Sequence, residues 1–204
     1  MNTIHRTMIL LAGLMVVTAL CAPESRAQAR RAAAPAPAKD KVEIKKLDGV
    51  GRSGRVKTPE YDLNPNQSSS TIHEWSRIRV RFATTADWTD ELVCSYYVQA
   101  RNSKTRKAVL FTGKFTYNDI PKGKNHLVTA FLRPATLARY GDVIGIAVEI
   151  HAKGEMVAYA CDPKTPQGWW RLTKAKAMPG VLLERSQTPF AFVAYDNYVP
   201  AKPR

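Results

Sequence analysis

Residues 77–83, RIRVRFA, alternate without a break: Ile78, Val80 and Phe82 fall on one side, Arg77, Arg79 and Arg81 on the other. Side chains of a strand point to opposite faces with period two, so the stretch reads as a half-buried strand that carries three guanidinium groups outward. A row of arginines on a sheet can be a solvated face, a grip on a polyanion, or the flank of a protein partner site. Like charges about 7 Å apart on one face repel unless something intervenes. Carboxylates opposite the row would make it structural; their absence would make it a binding stripe.

The same period recurs along the chain with turn chemistry at the joints. KVEIKKL (41–47) opens the series, and a long polar connection follows over 49–71. IHEWSRIRVRFATT (72–85) is one strand and ELVCSYYVQARN (91–102) the next, with Leu92, Cys94, Tyr96, Val98 and Ala100 sharing a face. KAVLFTGKFTYNDI (107–120) is a third, where Gly113 is expected to mark a bulge, and NHLVTAFLRP (125–134) a fourth. PATLARYG (134–141) reads as a helical turn with Pro at its start and Gly at its end. DVIGIAVEIHA (142–152) and MVAYAC (156–161) form a hairpin about Gly154. GWWRLTKA (168–175) and PGVLLERSQTPFAFVAYDNYV (179–199) are each expected to add one or two strands.

About seven to nine short strands with almost no amphipathic helix define an all-β fold, expected as an immunoglobulin-like antiparallel β-sandwich with Greek-key wiring. The antibody type does not fit, because Trp75 and Trp88 precede Cys94 and residues 105–115 hold no tryptophan. An outer-membrane barrel needs many more strands with an apolar lipid face, whereas the middle of this chain is heavily charged.

The N-terminus sets the expected compartment. MNTIHRT supplies a short positive region and residues 8–20, MILLAGLMVVTAL, an uncharged apolar run of thirteen. That is short for a membrane span and fits the core of a signal peptide, with cleavage expected after Ala29 in Ala27-Gln28-Ala29. Cys21 leaves a lipoprotein as the lesser alternative, because Leu20 is large where a lipobox has Gly, Ala or Ser. The expected organisation is a signal peptide over 1–29, an extended Ala/Pro-rich linker over 30–41, one domain over 42–199 and a short tail over 200–204, with no transmembrane segment in the mature chain.

The whole chain carries a formal charge of +14. Removing Arg6, Glu24 and Arg26 with the signal takes away one net positive charge and leaves about +13, a field that attracts anions and weakens with salt. Outside the cytoplasm those anions are acidic glycans and cell-wall polymers rather than nucleic acid. Signal removal also leaves two cysteines, Cys94 and Cys161. A bridge between them and a pair of small buried thiols both remain open at this point.

Motifs for chemistry are sparse. GVGRSG (49–54) has dinucleotide-loop glycine spacing but no helix to meet a pyrophosphate, and reads as a flexible turn. DLNPN (62–66) begins like a calcium loop but lacks the turn glycine and the bidentate glutamate. The histidines left after signal removal form no HExxH pair, no serine sits in a G-x-S-x-G elbow, and His151 beside Glu149 reads as surface decoration on the exposed side of a strand. No catalytic, metal-binding or cofactor-binding set is expected. The suggestive surface stretch is Trp169, Trp170, Arg171 and Lys174: in a strand one indole would face out beside cations, able to stack on a sugar or anchor a partner, while both indoles plugging the end of the sandwich is the equal alternative.

From the signal through WTDELVCSYYVQARN and ARYGDVIGIAVEI to GWWRL, the chain resembles the secreted immunoglobulin-like proteins of Akkermansia-type Verrucomicrobia that are encoded with a type IV pilus-like gene cluster. The resemblance implies an immunoglobulin-like fold and an association with pilus assembly or the cell envelope. It differs from a major pilin, whose long apolar N-terminal helix builds the filament core. The expectation is therefore a non-enzymatic, exported accessory or structural protein, located in the periplasm, at the outer surface or beyond. Its expected partners are pilus or envelope proteins or a second copy; the alternative is an adhesion module for acidic glycans such as mucin, using Arg77, Arg79, Arg81 and the tryptophan-rich stretch.

Overall fold

The computed structural model describes residues 42–60, 72–165 and 168–202, which all belong to one unit, Pro37–Arg204. The stretches expected as signal peptide and linker, and DLNPN, lie outside the described residues. The elements are β1 (Val42–Asp48), β2 (Arg55–Lys57), β3 (Glu74–Arg101), β4 (Ala108–Leu132), α1 (Pro134–Tyr140), β5 (Asp142–Ala152), β6 (Glu155–Asp162), α2 (Trp169–Leu172), β7 (Lys176–Pro179) and β8 (Leu183–Glu184). The fold is all-β and sandwich-like, and the eight strands among the described residues fall within the expected range.

The wiring is more continuous than the alternation suggested. The two strands read at 72–85 and 91–102 are one 28-residue strand, β3, and the next two are the 25-residue β4, paired with it antiparallel almost throughout. The register shifts at Phe82/Thr84 and again at Thr84/Trp88, which marks a corner. Before the corner β3 pairs with β1 and β2; beyond it, with β5. One long hairpin therefore serves both layers, and its inward side chains, Ile78, Val80 and Phe82 from the first half and Leu92, Cys94, Tyr96 and Val98 from the second, meet in a single core.

The corner is held by local packing. The His126 ring lies 5.2 Å from that of Phe82, and its Nε2 is 3.1 Å from Thr84 Oγ1, which donates to Pro121 O at 2.8 Å. A Cβ at position 123 would stand 2.6 Å from His126 Nε2, so any other residue there would have to push the imidazole from its place beside Thr84. The expected bulge at Gly113 is absent: the ladder runs regularly from Ser95–Lys114 through Tyr96–Gly113 to Tyr97–Thr112. Gly113 makes room for Leu182, whose Cβ an added methyl would meet at 3.1 Å.

Both sides of the folded sheet are covered. On one, β1 lies against β6, with Ile44, Leu47, Val157 and Ala158 packed on the core. On the other, the C-terminal segment lines β4: β7 pairs in parallel at 109–112 and β8 antiparallel at 130–131. Val199 N–H donates to Leu127 O at 3.0 Å and Lys202 N–H to Thr116 O at 2.8 Å, with Ala201 bridged to Tyr117. Residues 200–202, expected as part of a free tail, are thus a strap joining the two halves of β4, because Ala201 can present its backbone to the edge despite the flanking prolines. An edge closed in this way resists sheet extension.

The cysteines do not bridge. Cys94 faces the core opposite Ile150, whereas Cys161 pairs with Ala147 on the far side of β5 and on the outer face. Two strand spacings come to about 9–10 Å, beyond the roughly 7 Å that a disulfide spans. Burial pushes the Cys94 thiol up to about 12, so it stays protonated.

Candidate interaction surfaces

Alternation along β3 does place Arg77, Arg79 and Arg81 on the outer face of the first layer, opposite Phe131, Thr129 and Leu127 of β4. Across the other ladder Arg79 faces Asp48, whose Oδ2 accepts from its guanidinium at 3.1 Å. Asp48 also pairs with Lys46 at 3.1 Å. Partial burial alone would raise this carboxyl, but the hydrogen bonds from Lys46 and Arg79 outweigh it and hold Asp48 below its ordinary range. The middle arginine is therefore structural. Arg77 and Arg81 have no carboxylate partner among the described residues, and Arg81 faces Lys46 across the ladder, a like-charge pair that costs stability.

Beside this row lies a lobe built by residues 183–199. Phe190 stacks on Phe131 with centroids 4.9 Å apart and planes 11° from parallel, and meets Trp75 edge-on at 5.9 Å. The organiser is Arg185, 8% exposed. Its Nη1 donates to Phe190 O at 3.2 Å and Val193 O at 3.0 Å, and its guanidinium carbon sits 4.4 Å from the Tyr198 ring centre and 5.3 Å from that of Tyr195. Carbonyl dipoles and ring faces replace the water that this buried charge loses. A capping box closes the preceding turn: Ser186 N–H donates to Glu184 Oε2, and Glu184 N–H to Gln187 Oε1. The lobe so fixed leaves Phe192 78%, Tyr195 58% and Val193 42% exposed.

The tryptophan-rich stretch is not a strand. Gly168 takes a left-handed conformation, φ +60°, and Trp169–Leu172 follow as the one-turn helix α2. The turn sets both indoles on the outer face of the second layer. Trp169 lies over Gly145, where a Cβ would come within 3.1 Å of its ring. Trp170 is 4% exposed, between Tyr97 and Tyr159 with ring centres 6.2 and 5.9 Å away.

What seats α2 is Glu149, a residue expected to lie in the open. The Trp170 indole N–H donates to Glu149 Oε1 at 2.9 Å, and Arg171 Nε and Nη2 reach the same oxygen at 3.0 and 2.6 Å. Tyr97 O–H donates to Oε2 at 3.3 Å, with His151 Nε2 3.9 Å away. Burial would raise this carboxyl, yet the hydrogen bonds from Trp170 and Arg171 and the adjacent guanidinium bring it below its ordinary value. Arg171 is thus tied down, while Lys174 and Leu172 remain exposed. A groove of about 550 Å³ runs past Trp169, Leu172, Gln99 and Pro163.

The expected surface residues therefore form two sites. Arg77, Arg79 and Arg81 belong to the half of β3 before the corner and the α2 cluster to the half beyond it, so the two groups lie on the outer faces of opposite layers. Glu149 and Arg185 were missed, because strand alternation marks an outward carboxylate or a lone arginine as solvated and gives no signal that a later segment covers it. GVGRSG forms a short 3-10 turn over Gly51–Gly54, with no helix after it. Among the described residues no three His, Cys, Asp or Glu side chains gather as a metal site, and no helix is long and apolar enough to cross a membrane.

No curated protein matches the sequence. A crystal structure of a protein from Akkermansia muciniphila has a similar fold, with TM-score 0.65 and 19% identity over 80% of this chain and 94% of that one. A protein-family model matches residues 33–204, from within the Ala/Pro-rich stretch to the C-terminus, and the chain belongs to that family.

Proposed function

We propose that this chain is a non-enzymatic, exported accessory or structural protein of a cell-envelope assembly of the type IV pilus-like kind, acting through side-chain surfaces. The observation that carries the reading is where its buried charges go. Glu149 is engaged in seating α2 and Arg185 in shaping the C-terminal lobe. Both give rigid, side-chain-bearing outer faces, which suit docking rather than turnover. The strap along β4 supports contact through faces over contact by strand addition. The resemblance in sequence to pilus-cluster proteins, and a fold shared with an Akkermansia muciniphila protein, are consistent with this role.

The test is cross-linking in the native cell followed by affinity capture at low and high salt, with partners identified by mass spectrometry. Pilus or envelope proteins retained at high salt are expected, since an interface with an apolar centre resists screening. Recovery of acidic glycans alone, lost at high salt, would overturn the proposal.

A further inference from the structure

The arginine row and the exposed aromatic lobe share one face. Phe131, directly opposite Arg77, lies under Phe190 of the lobe, and Leu127, directly opposite Arg81, receives the backbone bond from Val199. Thr129 between them points outward by register yet is buried. The lobe therefore runs alongside the whole row. Its tip, Phe192 with Val193 and Tyr195, is exposed, and the row it runs along, Arg77, Arg79 and Arg81 with Lys46 on the far side of β3, carries more positive charge than Asp48 on the face and Glu184 and Asp196 in the lobe offset. Lys45 and Glu43 nearby pair with each other.

The exposure of Phe192 is built rather than incidental. Ala194, two residues on, holds a left-handed backbone, φ +50°, and the carbonyls of Phe190 and Val193 on either side are pinned by the buried Arg185. An aromatic tip held out beside a net positive row matches a surface that is anionic outside and apolar beneath. A soluble polyanion would use the arginines but not Phe192. We infer that this face docks on an anionic phospholipid bilayer, the arginines on the headgroups and Phe192 and Tyr195 in the interfacial layer. The inference goes beyond the envelope-assembly role and does not depend on it: protein partners can be captured whether or not lipid binds.

The test is co-sedimentation of the protein recovered after export with vesicles of pure phosphatidylcholine or with phosphatidylglycerol added. Binding to the anionic vesicles that weakens with salt is expected. Phe192→Ser should lower partitioning about tenfold, and Arg77→Ala and Arg81→Ala about fivefold each. Leu172→Ser, an exposed apolar residue on the opposite layer, should change nothing. Phe192→Ser and Arg77→Ala should melt like the parent, and Arg81→Ala, relieved of Lys46 across the ladder, no lower than it. As a gain of signal, Phe192→Trp should add indole emission that shifts blue on anionic vesicles. Equal binding to both vesicles, no binding, or Phe192→Ser binding like the parent while heparin binds as tightly would each overturn the inference, the last in favour of a glycan grip.

Discussion

The Trp170 indole N–H donates to Glu149 Oε1 at 2.9 Å, and Arg171 reaches the same oxygen, so one strand carboxylate fastens a one-turn helix to the outside of the second layer. A helix of four residues has too few internal bonds to hold itself. Glu149→Ala should orphan the buried Trp170 nitrogen and cost about 2–3 kcal/mol, read as a lower urea midpoint. Trp170 emission should shift red, as the ring is released from Tyr97 and Tyr159. A midpoint unchanged from the parent would show that packing alone seats α2.

The same carboxylate makes stability pH-dependent. Its folded value lies below the ordinary 4.5, so the unfolded chain binds the proton more readily. Its contribution is complete above the unfolded value and is lost as pH falls through the folded one. Asp48 acts in the same sense. His126 does so from higher pH: burial lowers it from 6.5, and the unfolded chain takes up its proton first. Urea midpoints should therefore begin to fall below about pH 6.5 and steepen below about pH 4.5. In Glu149→Gln the steeper part should flatten; a profile parallel to the parent's would assign the acid sensitivity elsewhere.

The thiols should separate under alkylation. Cys94 is fully buried and held protonated, whereas Cys161 is partly exposed on the outer face of β6. Iodoacetamide on the folded protein should label Cys161 and spare Cys94 until denaturant is added, because the thiolate is the nucleophile and must be reached. A non-reduced digest should contain no peptide joining the two.

How much of this was legible depended on whether neighbours along the chain were also neighbours in space. Ile78, Val80 and Phe82 announce a buried face by alternation, and Pro134 and Gly141 bracket α1 as their backbone preferences require. The all-β class followed from such local signals. The corner at Thr84 did not, because a bent strand and two strands joined by a turn share one pattern. Cys94 and Cys161 could be placed on opposite faces only once β5 was known to lie between them. The arginine row was read correctly as outward, but its division into a paired Arg79 and unpaired flanks depends on which residue of β1 lands opposite, and β1 has a register shift between Ile44 and Lys46. For Trp169 and Trp170 the strand assignment fails, because Gly168 turns the stretch into a helix, while the alternative of indoles packed inward fits the buried Trp170.

Arg185 offers the sharpest test of the lobe. Its charge is buried without a carboxylate among the described residues, held by two carbonyls and the rings of Tyr195 and Tyr198. Arg185→Ala leaves the Val193 carbonyl without the guanidinium, leaves Phe190 O only the Val193 N–H, and opens a gap between the rings, for a loss of about 3 kcal/mol. Arg185→Lys should recover little, since an ammonium cannot fork to both carbonyls while lying flat on a ring. The damage should be local first. Phe190 can still stack on Phe131, but the Val193 and Tyr198 amides should exchange with deuterium much faster, while those of Ile78 and Val98 in the core of β3 keep their protection. Uniformly faster exchange across β3 would instead make Arg185 part of the global core. If the lobe remains as protected in Arg185→Ala as in the parent, the aromatic stack on Phe131 suffices and the guanidinium is not its organiser.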